Sequence, residues 1–402
     1  MDYRPFYFAR EWVKMGHQVD IIAADYSHLR SKNPDVKADW DTEQVDGVIY
    51  HWIKTGRYEG NGVRRVLTMI QFVTKLYWRA GRIAKELKPD AVIASSTYPL
   101  DTYPARRVAS KAHAKLVHEV HDMWPLTLVE LGGMSKWHPF VMLIQRAENS
   151  FCKHSDIIIS LPPCTREYLM QHGMRTDAFH HIPNGVVLED WDIPYDIPEE
   201  HSILLNTLKG KGKFIVGYFG GHAMSNALSF LLEAAKAIRI TDIHFVLVGD
   251  GTEKAALRQW AMDEKLCNIT FLPPVPKLCI PELLKHFDCI YIGGRSSMLY
   301  RFGVCINKLY DSMMAGKPII YAVETPNNDV RDFNCGVVVK PENIMEIVNA
   351  INTIYHMDAN TCESMGERAK KAVIDNYEYT VLAKRFECVL QDDKARGVVV
   401  YT

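Results

Sequence analysis

The sequence carries almost no net charge. Its 47 Lys and Arg against 48 Asp and Glu leave a formal −1, so no whole-protein field draws it to nucleic acid, and that class of partner is set aside. Patterned cysteine is absent too. The nine cysteines, at 152, 164, 267, 279, 289, 305, 335, 362 and 388, include no C-x-x-C and no short Cys/His pairing of the kind zinc needs. An odd, scattered set implies reduced thiols and a cytoplasmic compartment. No apolar run is long enough to span a bilayer, and no charged-then-apolar signal segment opens the chain. The expectation is a soluble protein, at most attached to a membrane surface. Internal repeats of about 20 to 50 residues and low-complexity tracts are also missing.

What is present is ordinary globular material, 48% apolar and 24% charged over 402 residues, enough for two domains of roughly 150 to 200 residues each. Short β-rich runs alternate with helix-period segments, as in parallel sheets wrapped by helices. VDIIAAD, DAVIASS, KLVHEVHD and SDIIISL form a first series; KFIVGYFGG, HFVLVGDG, NITFLPPV, DCIYIGG, KPIIYAV and CGVVVKP form a second. Between them NGVVLEDWDIPYDIPEEHS, rich in Pro and acidic residues, reads as a linker. The division expected is a first domain over 1–188, a second over 189–375, and a C-terminal helix with a tail over 376–402 that crosses back to the first. Ligands in open α/β sheets bind beyond the carboxyl ends of the strands, so motifs there carry most weight.

The chain enters directly on a helix, DYRPFYFAREWVKMGHQV, with no strand before it. In a doubly wound module the first strand lies mid-sheet. An empty slot there would strand two ladders of backbone groups at about 1 to 3 kcal/mol each. The expectation is therefore that Met1 is an internal or truncated start, and the closing GVVVYT has no assignment.

RFGVCINKLYDSMMAGKPII, at 301–320, reads as a helix after a loop. Asn307 and Asp311 are four apart and share a face, with Lys308 beside them. Free amides and the positive dipole end at such a helix start suit a nucleotide diphosphate; the acid one turn on can accept ribose hydroxyls. An amphipathic core helix with a solvated Lys–Asp pair is the structural alternative. Gly220-Gly221-His222 permits close backbone approach, with His222 its one chargeable side chain. Arg295 and Arg301 are candidate cations for phosphate or, equally, surface arginines. Gly249-Asp250-Gly251 permits a tight ligand approach, although the turn is common. His121-Asp122 closes KLVHEVHD, where a His can bond sugar hydroxyls and an Asp can orient its ring. His118 is read as structural.

In order, GYFGGHAMSNALSFLLEAAK, VLVGDG, FLPPVPK and RFGVCINKLYDSMMAGKPII resemble the donor half of a family 4 retaining glycosyltransferase. HEVHDMWPLTLVELGGMSKWHP and IPNGVVLEDW resemble the acceptor half of its bacterial surface-polysaccharide subgroup, similar to N-acetyl-L-fucosamine transferases. The resemblance implies a GT-B fold: two Rossmann-like domains facing across a cleft, here with the first strand of the N-terminal domain missing. It implies a UDP-sugar donor, a lipid-linked saccharide acceptor, front-face transfer with retention, and no cofactor or metal. Pro273-Pro274-Val275-Pro276 would border the base through Val275, and Trp124, Glu130 and Gly132-Gly133 would shape the acceptor pocket. The family's paired Glu residues fall on Gly303 and Asp311, so the first has no carboxylate here. A nucleotide-sugar 2-epimerase of the same architecture, or a catalytically silent scaffold subunit, are the rival readings. Residues 54–88 hold nine Lys or Arg against two acidic residues, an amphipathic stretch suited to the inner face of the cell membrane or to a solvated helix face.

Overall fold

The computed structural model describes residues 3–27, 30, 33–58, 60, 62–192, 195–391 and 397–401, with only the backbone of Tyr3 and of 397–401. Met1, on which the expectation of an internal start falls, lies outside them. The chain divides into two compact units, one made of Met1–Asn184, Phe302–Cys305 and Tyr379–Thr402, the other of Gly185–Arg301 and Ile306–Glu378.

The strands in chain order are β1 (Gln18–Ala24), β2 (Asp41–Val45), β3 (Val48–Ile53), β4 (Ala91–Ala94), β5 (Lys115–Val120), β6 (Ile157–Ser160), β7 (Phe179–His181), β8 (Phe214–Phe219), β9 (Ile243–Val248), β10 (Ile269–Leu272), β11 (Cys289–Gly293), β12 (Ile319–Ala322), β13 (Gly336–Val338) and β14 (Gly397–Tyr401). The central ones are buried along their whole length. This follows from runs of β-branched residues covered by helices on both faces.

The second unit holds one parallel sheet in the order β10-β9-β8-β11-β12-β13. Counted from β8 this is the doubly wound order that reverses beside its first strand. Side chains alternate between two cores: Val216, Tyr218, Phe245 and Leu247 enter one, Ile215, Phe219, Val246 and Val248 the other.

The first unit has the order β2-β3-β1-β14-β4-β5-β6-β7. It is parallel except at β2, which folds back on β3 through a two-residue turn with positive φ at Asp46 and Gly47, the geometry that matches strand twist. No described strand precedes the helix Tyr3–Lys14, yet the mid-sheet slot expected to stand empty is filled. β14 runs parallel between β1 and β4, with Gln18 opposite Gly397 and Ala94 opposite Tyr401. Its backbone closes both ladders that an empty slot would have left open.

The helix Tyr379–Gln391 leads toward that strand and packs on the helix Tyr3–Lys14. Phe386 sets its ring edge against Phe8 and Trp12, at 5.5 and 5.1 Å between centroids. Trp12 Nε1 donates to Ala383 O at 3.2 Å. Removing residues 397–402 is expected to reopen both ladders and to destabilise this unit by more than about 5 kcal/mol. Thermal and urea unfolding of the shortened chain measures this; an unchanged midpoint would show that β14 contributes nothing.

Candidate functional site

Each unit contributes its own cluster at the carboxyl ends of its strands. In the second unit the strand order reverses between β8 and β11, and the loop after β8 begins Gly220-Gly221-His222. Gly220 has φ +122°, a backbone region that a side chain rarely adopts. A Cβ on Gly249 would lie 1.9 Å from Gly220 O, and one on Gly251 2.5 Å from His222 O. The tight approach made by Gly249-Asp250-Gly251 is that of one loop on another. Asp250 is exposed and takes a 2.9 Å hydrogen bond from the Gly251 amide.

His222 is not the charge of this loop. Its ring is fully buried beside Tyr218 and Phe271 with neither nitrogen partnered. Burial, aided by Lys254 and Lys308, pushes its pKa down to about 4, so it is neutral at physiological pH. The cation comes instead from the first turn of the helix Asn307–Met314. Lys308 Nζ donates to Tyr218 Oη at 3.0 Å and to Asn226 Oδ1 at 2.7 Å, and lies 4.5 Å from the Tyr218 ring centroid. Tyr218 Oη and Asn226 Nδ2 both donate to Gly221 O, at 2.6 and 2.9 Å. One ammonium therefore fastens the whole loop. Among the described residues no carboxylate pairs with it, and burial lowers its pKa to about 7.

One turn on, the carboxylate of half-buried Asp311 makes no hydrogen bond or ion pair with any described residue. Burial raises its carboxyl to about pKa 6, with Asp190 adding and Lys277 opposing. Asn307 is exposed at the helix start, which has no side-chain cap. Arg295 is exposed, 4.0 Å from Glu342, and its amide donates to Ser225 O at the rim of the loop. Arg301 is exposed and donates to Met298 O. Val275, half-buried, packs against the core beneath β8 and β9.

In the first unit Ser95 directly follows β4 and His121 directly follows β5. Residues two apart on a strand share a face, and Glu119 and His121 do so here. Arg4 gives Glu119 Oε1 two hydrogen bonds, at 3.1 and 2.9 Å. Ser95 Oγ donates to Glu119 Oε2 and lies 3.0 Å from His121 Nε2. Burial works to raise the Glu119 carboxyl, but Arg4 and His121 overcome it and hold it well below the usual range.

Asp122, expected to orient the His121 ring, does not. Its Oδ1 accepts from the Met123 amide and Thr127 Oγ1, both at 2.7 Å, and caps the following turn. His118 lies flat on Phe151 at 3.8 Å. A small pocket is lined by Ser96, His118, His121, Trp124 and Glu148, where burial pushes the Glu148 carboxyl up to about 7. Gly132 and Gly133 end the helix Leu126–Glu130, where a Cβ on Gly132 would meet Leu128 O at 2.6 Å. Sequence reasoning missed Tyr218, Asn226, Arg4 and Ser95. Only the period-two spacing of Glu119 and His121 pointed to part of this. Among the described residues no three His, Cys, Asp or Glu converge as a metal site requires.

Residues 6–190 match the family model Glycosyltransferase Family 4, and residues 206–372 match Glycosyl transferases group 1. A protein named as a colanic acid biosynthesis glycosyl transferase, WcaI of Escherichia coli strain K12, is 23% identical over 286 residues, 69% of each chain. HepE of Anabaena, solved with UDP-glucose, superposes with a TM-score of 0.63 at 16% identity, covering 93% of this chain and 99% of its own. Sucrose-phosphate synthase of Thermosynechococcus elongatus superposes with a TM-score of 0.71 at 14% identity over 96% and 91%. These likenesses show the fold, GT-B with two Rossmann-like domains.

The unpaired Asp311 has a consequence for stability. Its folded pKa lies above the ordinary 3.8, so the folded chain binds the proton more tightly, and the acid destabilises the fold increasingly as pH rises from 3.8 to about 6. Asp311→Asn is expected to raise the melting temperature at about pH 7.5 and to leave it unchanged at about pH 3.5. Melting curves at the two values test it; a lower melting temperature at both would show that Asp311 is paired.

Proposed function

We propose that this chain, a glycosyltransferase with a Family 4 domain and a group 1 domain, moves an N-acetylated hexosamine from a UDP carrier to a lipid-linked saccharide in the synthesis of a bacterial surface polysaccharide. The observation that carries this reading is the helix Asn307–Met314. Among the described residues it presents one cation without a carboxylate partner and one carboxylate without a side-chain or ion-pair partner, beside a Gly loop at the point where the strand order reverses. Such groups cost stability unless a ligand supplies the missing charge or donors.

In this reading the diphosphate lies against the amides at the helix start, Lys308 offsets its charge, and Asp311 accepts the ribose hydroxyls. His121 of the first unit bonds a sugar hydroxyl. Transfer proceeds on one face with retention, the departing phosphate taking the acceptor proton, so the protein supplies position and charge stabilisation rather than a metal. Gly303, where the family has a carboxylate, favours a binding homologue without turnover as the second reading.

A thermal-shift series of nucleotide sugars, followed by product analysis, separates the two. UDP compounds are expected to stabilise the chain, with transfer to a saccharide acceptor; no shift with any UDP compound would end the transferase reading. Because Lys308 titrates near 7 when unliganded, binding a diphosphate above that pH requires proton uptake. Affinity for a UDP-sugar is expected to fall up to about tenfold per pH unit above 7, and Lys308→Met is expected to flatten that slope in a calorimetric titration.

We also place the lipid-linked acceptor at a membrane surface reached by the helix Val63–Leu87. One stripe of this helix, including Phe72, Leu76 and Ala80, is core. A second stripe, Val63, Leu67, Ile70, Tyr77 and Trp78, is exposed, with Trp78 at 76%. Beside it a groove of about 490 Å³ is lined by Lys75, Arg79 and Arg82 together with Asp39, which pairs with Lys75 at 2.7 Å, while Arg82 pairs with Glu86 at 2.6 Å. Exposed aromatic and aliphatic groups flanked by cations suit an anionic leaflet. Among the described residues no helix is long and apolar enough to cross one. Sedimentation with vesicles containing phosphatidylglycerol is expected to capture the protein and to lose most of it on Trp78→Ala combined with Arg82→Ala. Equal capture by neutral vesicles would remove the electrostatic part of the assignment.

A further inference from the structure

The cluster behind His121 is built more fully than a ligand pocket needs. Arg4 has five N–H donors, and all are directed at acceptors: Glu119 Oε1 twice, Ile182 O at 2.9 Å, Pro183 O at 2.6 Å and Asn184 Oδ1 at 3.1 Å. Arg4 is 6% exposed and Glu119 3%. The other carboxylate oxygen of Glu119 accepts the single proton of the Ser95 hydroxyl.

That leaves Ser95 Oγ with lone pairs only. The atom 3.0 Å away, His121 Nε2, must therefore be its donor. The same N–H is 3.6 Å from Glu119 Oε2, so both neighbours call for hydrogen on this nitrogen. The opposite tautomer would set two lone pairs face to face or take the Ser95 proton from the carboxylate. Losing a hydrogen bond to a charged group disfavours it by roughly tenfold or more. His121 Nδ1 has no partner among the described residues.

We propose that Ser95 and Glu119, the latter kept ionised by Arg4, are positioning residues that hold His121 as the Nε2–H tautomer and so present the Nδ1 lone pair to a hydroxyl of the saccharide. This rests on the acceptor-side reading of the first unit. His121 accepts a hydrogen bond and orients the hydroxyl oxygen; it does not retain the proton. Without the cluster a neutral imidazole would flip between tautomers and spend much of its time offering an N–H where an acceptor is needed. The other titratable or charged groups around the ring are His118 on the same strand, Asp122 after it and Glu148 from the helix Pro139–His154. Asp122 is committed to its own turn and Glu148 to Gln145 and Tyr168, so Glu119, acting with Ser95, sets the direction.

Long-range ¹H–¹⁵N spectra of the ¹⁵N-histidine-labelled protein test this directly, His121 being assigned by its loss in His121→Asn. In the neutral ring, reached by raising the pH until the His121 signals stop moving, the expected spectrum shows Nε2 protonated and Nδ1 unprotonated. Ser95→Ala keeps the buried Arg4–Glu119 pair, so it should fold, and it is expected to raise the Nδ1–H fraction several-fold; Ser95→Thr, which retains the hydroxyl, is expected to restore the parent spectrum. In transfer assays Ser95→Ala is expected to lower kcat about tenfold or more while leaving KM for the nucleotide sugar unchanged. An Nδ1–H signal in the parent protein, or the same tautomer ratio in Ser95→Ala, would overturn the proposal. The spectra do not depend on turnover. The expected tautomer in a protein that transfers to no saccharide supports the cluster and counts against the transferase reading, whereas transfer by a protein with the other tautomer counts against the cluster alone.

Discussion

Inner strands of a parallel sheet carry backbone donors and acceptors on both edges, and with both faces covered by helices no water reaches them. Each must be paired on both sides. The second unit meets this with six strands, β8 to β13, that follow one another along the chain. The first meets it by bringing Gly397–Tyr401 back to the middle of the sheet. Both clusters described above depend on this pairing, because each hangs from the carboxyl ends of the strands nearest the reversal point. Ser95 follows β4, the neighbour of β14; Gly220 follows β8, the neighbour of β11.

The two clusters treat charge in opposite ways. Around Arg4 and Glu119 every formal charge is buried, paired and hydrogen-bonded. That is the condition under which an ion pair in a dry interior is tolerated, and removing one partner would strand the other at a cost of about 3 to 5 kcal/mol. Around Lys308 and Asp311 the opposite holds. Both are withdrawn from water, neither has an opposite charge in contact among the described residues, and burial moves both pKa values toward neutrality. The first arrangement is suited to holding a ring still, the second to receiving something that brings its own charge.

Much of this was legible in the sequence. Alternating strand and helix patterns identify the fold class, and the strand-end positions of Gly220, His121 and the Asn307-Lys308-Asp311 turn place the clusters. What could not be read was the third dimension of each. His222 looks like a cation in the sequence, yet its ring lies buried beside Tyr218 and Phe271 and stays neutral. Asp122 is next to His121 in sequence but is turned away by the helical turn it caps, whereas Arg4 is 115 residues from Glu119 and touches it. GVVVY is a plain strand by composition; nothing in its residues says that it pairs with β1 and β4.

That long-range pairing also sets an order of events. On a ribosome adding about 5 to 20 residues per second, β4 emerges some 300 residues before β14 does, an interval of roughly 15 to 60 s. The second unit is made within that interval and has all its strands, while the first waits with an unmatched edge at its centre. Synthesis therefore favours the module encoded in between: it can settle early, while β1 and β4 wait for the strand that comes to lie between them.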